Sequence, residues 1–251
     1  MLRTPVGIGY PQDLIKSWYV LAFHPTIFEM NHELARYNMI EQQIRPWSVL
    51  DPHVLDLLSF IKREEFVPNA YHDLAFTDFE IPLLGASEPN TGQHMLAPRV
   101  EARILQALAP RKNDTALEIG TGSGYMAALL GYSVHHVTTL EIDRNLSEKA
   151  AGILQHNGMS NVEVVNADGA QGWSVMAPYD VIALSGALTA LPQKLLEQLK
   201  VGGRMVAVVG NAPAMQVQLI KRVSNIEYHT ENLFQTLISR LIAPQPSSFK
   251  F

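Results

Sequence analysis

A short apolar run, Thr115 to Ile119, ends in Glu118-Ile119 and is followed at once by Gly120, Gly122 and Gly124. The run has the length of a buried strand. Glycines at alternate positions mark a turn in which a Cβ would either block a close approach or demand a strained dihedral. A strand leading through such a turn into a helix is the opening unit of a doubly wound sheet, where ligands sit at the carboxyl ends of the strands. The rest of the chain alternates in the same way. Strands are expected near 115–119, 136–141, 162–166, 179–184 and 204–209, and helices near 124–131, 144–157 and 190–199. Lys200-Val201-Gly202-Gly203 is expected to close the last helix with a left-handed turn. Residues 216–223 and 235–242 are expected to form a final strand pair. The prediction is an α/β fold: a Rossmann-like, doubly wound, mostly parallel seven-stranded sheet, with an N-terminal helical subdomain.

That division gives an arm at 1–33, a helical subdomain at 34–112, a ligand-binding domain at 113–243 and a tail at 244–251. The first stretch holds Pro5, Gly7, Gly9, Pro11 and Pro25 without sustained periodicity. It reads as a loosely held terminal arm, or as a stretch ahead of a natural start at Met30 or Met39. From Leu34 the pattern turns helical, with Leu34, Tyr37, Ile40, Gln43 and Ile44 on one face and Pro46 as the stop. Asp51 is an expected N-cap, with Pro52 at the first helical position and Val54, Leu55, Leu57, Leu58 and Ile61 as the apolar stripe. Residues 85–92 read as a loop, and glycines at 85 and 92 would let it close over a ligand. A helix is expected from Val100 to Leu108.

Composition removes several classes. The 251 residues include 47% hydrophobic and 17% charged, the balance of a globular chain with a sizeable core. A net charge of −5 disfavours non-specific nucleic-acid binding. The lack of cysteine excludes a disulfide scaffold and a thiolate metal site, and it fits a reducing, cytoplasmic setting. No apolar run approaches the ~20 residues of a membrane span. The histidines, including His135-His136, lack metal-ligand spacing.

Glu141 ends the second predicted strand, 21 residues after Gly120, and Asp168-Gly169 follows the third. An ionised carboxylate at the Glu141 position can accept both hydroxyls of a ribose. Nicotinamide sites place an acid at a similar distance, so Glu141 alone does not separate the two cofactors. The glycine spacing does favour one of them. Dinucleotide sites prefer G-x-G-x-x-G, whereas this chain has G-x-G-x-G. Asp168 suits an adenine amino group, with Gly169 leaving room for the ring, although Asp-Gly is also a common turn. Glu118 could reach a ligand ammonium. Together these residues describe a site for S-adenosylmethionine.

With them in place the chain resembles the protein-L-isoaspartate O-methyltransferase family over about residues 39–242. The resemblance runs through Met39-Ile40-Glu41-Gln42-Gln43-Ile44, Phe66-Val67-Pro68, Ala75-Phe76-Thr77-Asp78 and Ile81-Pro82-Leu83. It continues through Leu117 to Tyr125, then Ala177-Pro178-Tyr179-Asp180 and Leu196 to Arg204. It implies a sheet whose last two strands are exchanged relative to most methyltransferases. It also implies S-adenosyl-L-methionine as methyl donor, S-adenosyl-L-homocysteine as product, and no metal. The implied cofactor set is Glu118, Gly120, Thr121, Gly122, Ser123, Gly124, Tyr125, Glu141, Ile142, Asp168, Gly169 and Ser185. The implied partner is a peptide or protein carrying isoaspartate; a small carboxylate is the alternative.

Two segments depart from the family pattern. Hydroxyl residues that help frame cofactor and substrate carboxylate are replaced by His94 and Leu96 in Gly92-Gln93-His94-Met95-Leu96-Ala97-Pro98-Arg99. A Val-Arg-Phe-Val-Pro-Leu type ending becomes Thr236-Leu237-Ile238-Ser239-Arg240-Leu241. Donors for a substrate carboxylate must then come from His94, Arg99, Arg240 or backbone N–H groups near 94–97. For His94 and Arg99, capping and surface roles are equally open. An isoaspartyl carboxylate is already ionised at neutral pH, at a pKa of ~4, so no general base is required. A related methyltransferase with another acceptor, or a non-catalytic cofactor-binding module, would share these features.

Overall fold

The computed structural model describes residues 30–83 and 92–242. The arm up to residue 29, most of the expected loop at 85–92 and the tail from 243 lie outside the described residues. From His32 onward the chain forms one compact unit. It opens with α1 (His32–Met39), a π-turn at Ile40–Ile44 and a 3-10 turn at Arg45–Trp47. Then come α2 (Pro52–Phe60), the short antiparallel strands β1 (Ile81–Pro82) and β2 (His94–Met95), and α3 (Pro98–Leu108). The sheet region follows as β3 (Thr115–Ile119), α4 (Tyr125–Ser133), β4 (His136–Glu141), α5 (Arg144–His156), β5 (Val162–Asn166), β6 (Tyr179–Leu188), α6 (Gln193–Glu197), β7 (Leu199–Asn211), β8 (Ala214–Arg222) and β9 (Tyr228–Thr236).

The seven-stranded sheet has the order β5-β4-β3-β6-β7-β8-β9. β3 to β7 are parallel, and β8 and β9 continue as antiparallel strands in chain order. The first-wound strand β3 is central and apolar. It lies between β4 and β6, so the turn after it opens at the middle of the carboxyl edge. Asp51 caps α2 as expected, its carboxylate accepting from His53 N, with Pro52 at N1. Val54, Leu55, Leu57, Leu58 and Ile61 are all buried. One continuous core joins these helices to side chains of β3, β4, β6, β7 and β8.

Three expectations are corrected. Leu34 and Tyr37 are exposed, and the buried side is carried by Arg36, Met39, Ile40 and Ile44. The π-turn changes the residues-per-turn spacing, so a single helical face does not run through residues 34–44. The helix expected at 190–199 is only the short α6. Pro192 precedes it and Leu199 already pairs with Tyr179, so Gly202, at φ +84°, marks a register slip inside β7 rather than a helix end. The final strand ends at Thr236 instead of spanning 235–242. Beyond it Ile238 turns into the core, and residues 239–241 run back beside the end of β6.

A buried polar knot ties the helical layer to this frame. Arg63 is fully buried. Its Nε donates to Ala75 O at 3.0 Å, one Nη to Leu96 O at 2.6 Å, and the other Nη to the Glu101 carboxylate. The guanidinium also lies over the Tyr125 ring, 4.9 Å from its centroid. Removing one member of a buried pair strands the other. Arg63→Met should therefore lower unfolding free energy by about 3–5 kcal/mol, read from the urea midpoint. A loss below about 1 kcal/mol would show that Glu101, Ala75 and Leu96 find other partners.

Candidate active site

The turn after β3 is shaped by its glycines: Gly120, Gly122 and Gly124 have φ of +92°, +53° and +85°. These values belong to the left-handed region that side chains avoid. Backbone bonds then lash the turn to the neighbouring strand. Gly120 N and Thr121 N donate to Leu140 O at 2.9 and 3.1 Å. Gly122 N donates to Glu141 Oε2 at 2.9 Å, and Asp143 N to Oε1 at 3.0 Å. Glu141 is thus buried and oriented by two backbone donors, while it still lines an open cleft. Burial raises its pKa, and those N–H groups oppose the rise.

The cleft sits at the carboxyl ends of β3 to β6. Ile119, Gly120 and Gly122 line it, with Leu140, Glu141 and Ile142 from the β4 end, Asp168 and Gly169 after β5, and Ser185 and Gly186 on β6. Asp168 Oδ1 accepts from Ala170 N at 2.9 Å, so the Asp-Gly turn and the cleft-lining acid coexist. Gly169 also has a packing reason to lack a side chain. A Cβ there would lie 2.6 Å from Ile119 Cγ2 and 3.1 Å from Leu140 Cδ1. It is held bare by packing against the strands.

Beneath the turn lies a hydrogen-bonded chain. Ser185 Oγ donates to Glu118 Oε1 at 2.7 Å, and Thr139 Oγ1 donates to Oε2 at 2.7 Å. Thr121 Oγ1 lies 2.7 Å from Thr139 Oγ1. Ser185 reaches this position because β6 carries a bulge: Ala183 pairs with Val206, and the next pairing is Ala187 with Val208. Bulges beside functional clefts commonly re-aim a side chain. Glu118 is fully buried, and among the described residues no cation lies within ion-pair distance. Burial pushes its pKa up to about 8, the two hydroxyl donors pull it down, and the Glu101 and Glu141 charges push it further up. With Thr121, Ser123, His94 and Leu96 it lines a smaller recess beside the main cleft.

Other candidates are placed differently. Tyr125 is fully buried away from the cleft, packed edge-on against Phe66 at 5.4 Å and under Arg63. Gly124 packs against Leu154 rather than lining the cleft. Arg99 is occupied: it pairs with Asp78 and stacks over Trp47 at 4.3 Å. Arg240 lines the cleft, while its guanidinium donates to Thr189 Oγ1 at 2.8 Å, Gly210 O and Asn211 Oδ1. Leu96 is buried, its carbonyl held by Arg63. His94 lines the cleft, with Nδ1 at 2.9 Å from Ser239 Oγ and 3.0 Å from Gly92 O. Sequence reasoning missed Thr139, Ser239, Leu83 and Leu241. Thr139 had a readable signal, since it shares a strand face with Glu141. Ser239 and Leu241 lie in the 236–241 segment that departs from the family pattern, and Leu83 in the matching Ile81-Pro82-Leu83, but nothing local singled out these three residues. Among the described residues no cluster of three or more His, Asp or Glu could hold a metal.

Glu118 makes stability depend on pH. A glutamate ordinarily titrates at 4.5; in the fold this one titrates at about 8. Between those values the native state binds more protons than the unfolded chain, so unfolding free energy falls as pH rises through that window. Denaturant titrations from pH 5 to pH 8.5 should show this decline, and Glu118→Gln should reduce it, leaving the part that buried Glu101, raised to about 7, contributes with the same sign. An unchanged slope in the variant would place the effect elsewhere.

Comparison with known proteins agrees with this geometry. The family model described as protein-L-isoaspartate(D-aspartate) O-methyltransferase matches residues 34–241. A protein-L-isoaspartate O-methyltransferase of Rhodopseudomonas palustris is 38% identical over 196 residues, covering 78% of this chain and 87% of the relative. One from Koribacter versatilis is 39% identical over 189 residues, covering 75% and 82%. Among solved structures, a protein-L-isoaspartate O-methyltransferase superposes with a TM-score of 0.72 at 24% identity, over 84% of this chain and 66% of that one. A Plasmodium falciparum structure, described as a complex of such an enzyme with S-adenosyl-L-homocysteine, gives 0.68 at 16% identity, over 85% and 99%. By family model and by identity over most of its length, the chain belongs to the protein-L-isoaspartate(D-aspartate) O-methyltransferase family.

Proposed function

We propose that the chain transfers the methyl group of S-adenosylmethionine to the carboxylate of isoaspartyl residues in damaged proteins, in a reducing compartment such as the cytoplasm. The observation that carries this reading is the pair of acids flanking the glycine turn. Glu141 is fixed by Gly122 N and Asp143 N, and its remaining lone pairs suit the two ribose hydroxyls. Asp168 stands at the neighbouring strand end, suited to the adenine amino group. Glu118 lies below the turn with no cation at ion-pair distance among the described residues, and a ligand ammonium there would favour its ionised form. Gly120, Gly122, Ile142, Gly169 and Ser185 complete the walls, with Thr121 and Ser123 in the adjoining recess. The donor set fits this cofactor.

When bound, the cofactor supplies an electrophilic methyl on a sulfonium. The protein's own work is alignment and exclusion of water, because the acceptor carboxylate arrives already ionised. Apolar Leu83, Ile119, Leu140 and Leu241 line the cleft and serve that exclusion. Leu96 favours a second reading. Its apolar side chain offers no donor, which suits a smaller or differently shaped carboxylate acceptor of the same lineage.

Labelled S-adenosylmethionine with paired peptides separates these readings. Base-labile label should appear on the isoaspartyl peptide and not on its aspartyl twin. Label on neither, with cofactor still bound, would favour the second reading. Glu141→Ala should weaken S-adenosylhomocysteine binding by about 10–100-fold in calorimetry, the scale of lost hydrogen bonds to a charged group. A change of less than about threefold would remove Glu141 from the binding site.

A further inference from the structure

His94 and Ser239 lie 145 positions apart in the chain and meet at the cleft. His94 Nδ1 lies 2.9 Å from Ser239 Oγ and 3.0 Å from Gly92 O. A carbonyl only accepts, so the contact with Gly92 O selects the tautomer with the hydrogen on Nδ1. In that tautomer the one N–H is shared between Gly92 O and Ser239 Oγ, and the Ser239 hydroxyl proton is left to be given to another group. Each partner is held from behind. His94 is paired with Pro82 across the β1–β2 ladder. Ser239 O accepts from Ala187 N at 2.9 Å, and Leu241 N donates to Ala187 O at 3.1 Å. Arg240, between them, is fastened to Thr189, Gly210 and Asn211 at the ends of β6 and β7.

The sheet order gives the pair its meaning. Glu141 and Asp168 lie at the ends of β4 and β5, on one flank of the glycine turn. Ser239 is fixed to β6, on the other flank. A nucleoside gripped on the β4–β5 flank leaves the β6 flank for the second reactant. His94 and Ser239 line the cleft there, and His94 also borders the recess of Glu118 and Ser185. Both lie in the segments where the chain departs from its family's usual pattern.

We propose that His94 and Ser239 act as one positioning unit for the methyl acceptor: their hydrogen bond joins the two walls of the cleft, and the freed Ser239 hydroxyl donates to the acceptor carboxylate. The proposal rests on the methyl-transfer reading above. It assigns acceptor specificity to a pair formed only in the folded chain.

The test uses the full-length protein, an isoaspartyl peptide and S-adenosylhomocysteine. Ser239→Ala should raise the peptide KM by about 10-fold, the effect of one lost hydrogen bond at a charged group, with kcat and the S-adenosylhomocysteine Kd changing by less than about twofold. Ser239→Thr should restore the KM. His94→Ala should have a similar effect, and the double variant should be no worse than either single one, because a unit is lost only once. Unchanged peptide KM, additive losses, or KM and Kd rising together would overturn the proposal. If the wild-type protein binds S-adenosylhomocysteine yet methylates no isoaspartyl peptide, the substrate reading fails, and the pair is judged by hydrogen exchange. Exchange of the Leu241 amide should then be at least about fivefold faster in Ser239→Ala, because the wall it belongs to has lost its tie. Unchanged exchange would overturn the pair by itself.

Discussion

The chain can leave β3 only by a left-handed path, and everything in the cleft depends on where that path is pinned. Three alternate glycines allow the turn. Leu140 O and the Glu141 carboxylate receive its N–H groups and decide its height above the sheet. The same contacts orient Glu141, so a local backbone requirement and the placement of a ligand-facing acid are one interaction. Substitution at the turn would therefore disturb the strand end as well as the loop.

Around this pin the charges are arranged unevenly. Acids dominate the β4–β5 side of the cleft and the recess beneath the turn, as Glu141, Asp168 and the buried Glu118. The basic groups nearby are mostly committed elsewhere: Arg63 to Glu101 and Leu96 O, Arg99 to Asp78, and Arg240 to neutral acceptors. A site that must hold a cationic sulfonium nucleoside gains from such a balance. A carboxylate acceptor gains from neutral donors such as a hydroxyl, which position it without cancelling its nucleophilic charge. Arg63 contributes indirectly. By gripping Leu96 O from inside the core it fixes the strand segment that carries His94.

Much of this was legible before any coordinates. The apolar run, the glycines, Glu141 and Asp168 occupy expected places because strand length and turn chemistry are local properties. Asp51 and Pro52 capped α2 for the same reason. What escaped was long-range. Tyr125 follows the glycine motif directly, yet helix α4 turns it into the core. Gly169 lines the cleft where it was expected, but the two strand side chains that also forbid it a Cβ come from Ile119 and Leu140, far away in the chain. Residues 237–242 carried a strand-like pattern, and their path was settled by Ile238 entering the core and by Ala187 offering both its N–H and C=O to the returning chain.

The sequence by itself determined the succession of strands and helices along the chain, the left-handed turn and the acids at the strand ends, because each depends on residues within a few positions of one another. The meeting of His94 with Ser239, the bulge that aims Ser185 at Glu118, and the unusual titration of Glu118 were decided only by the tertiary structure. Each needs partners far apart in the chain to be brought together in a space that excludes water, and neither spacing nor composition encodes that distance.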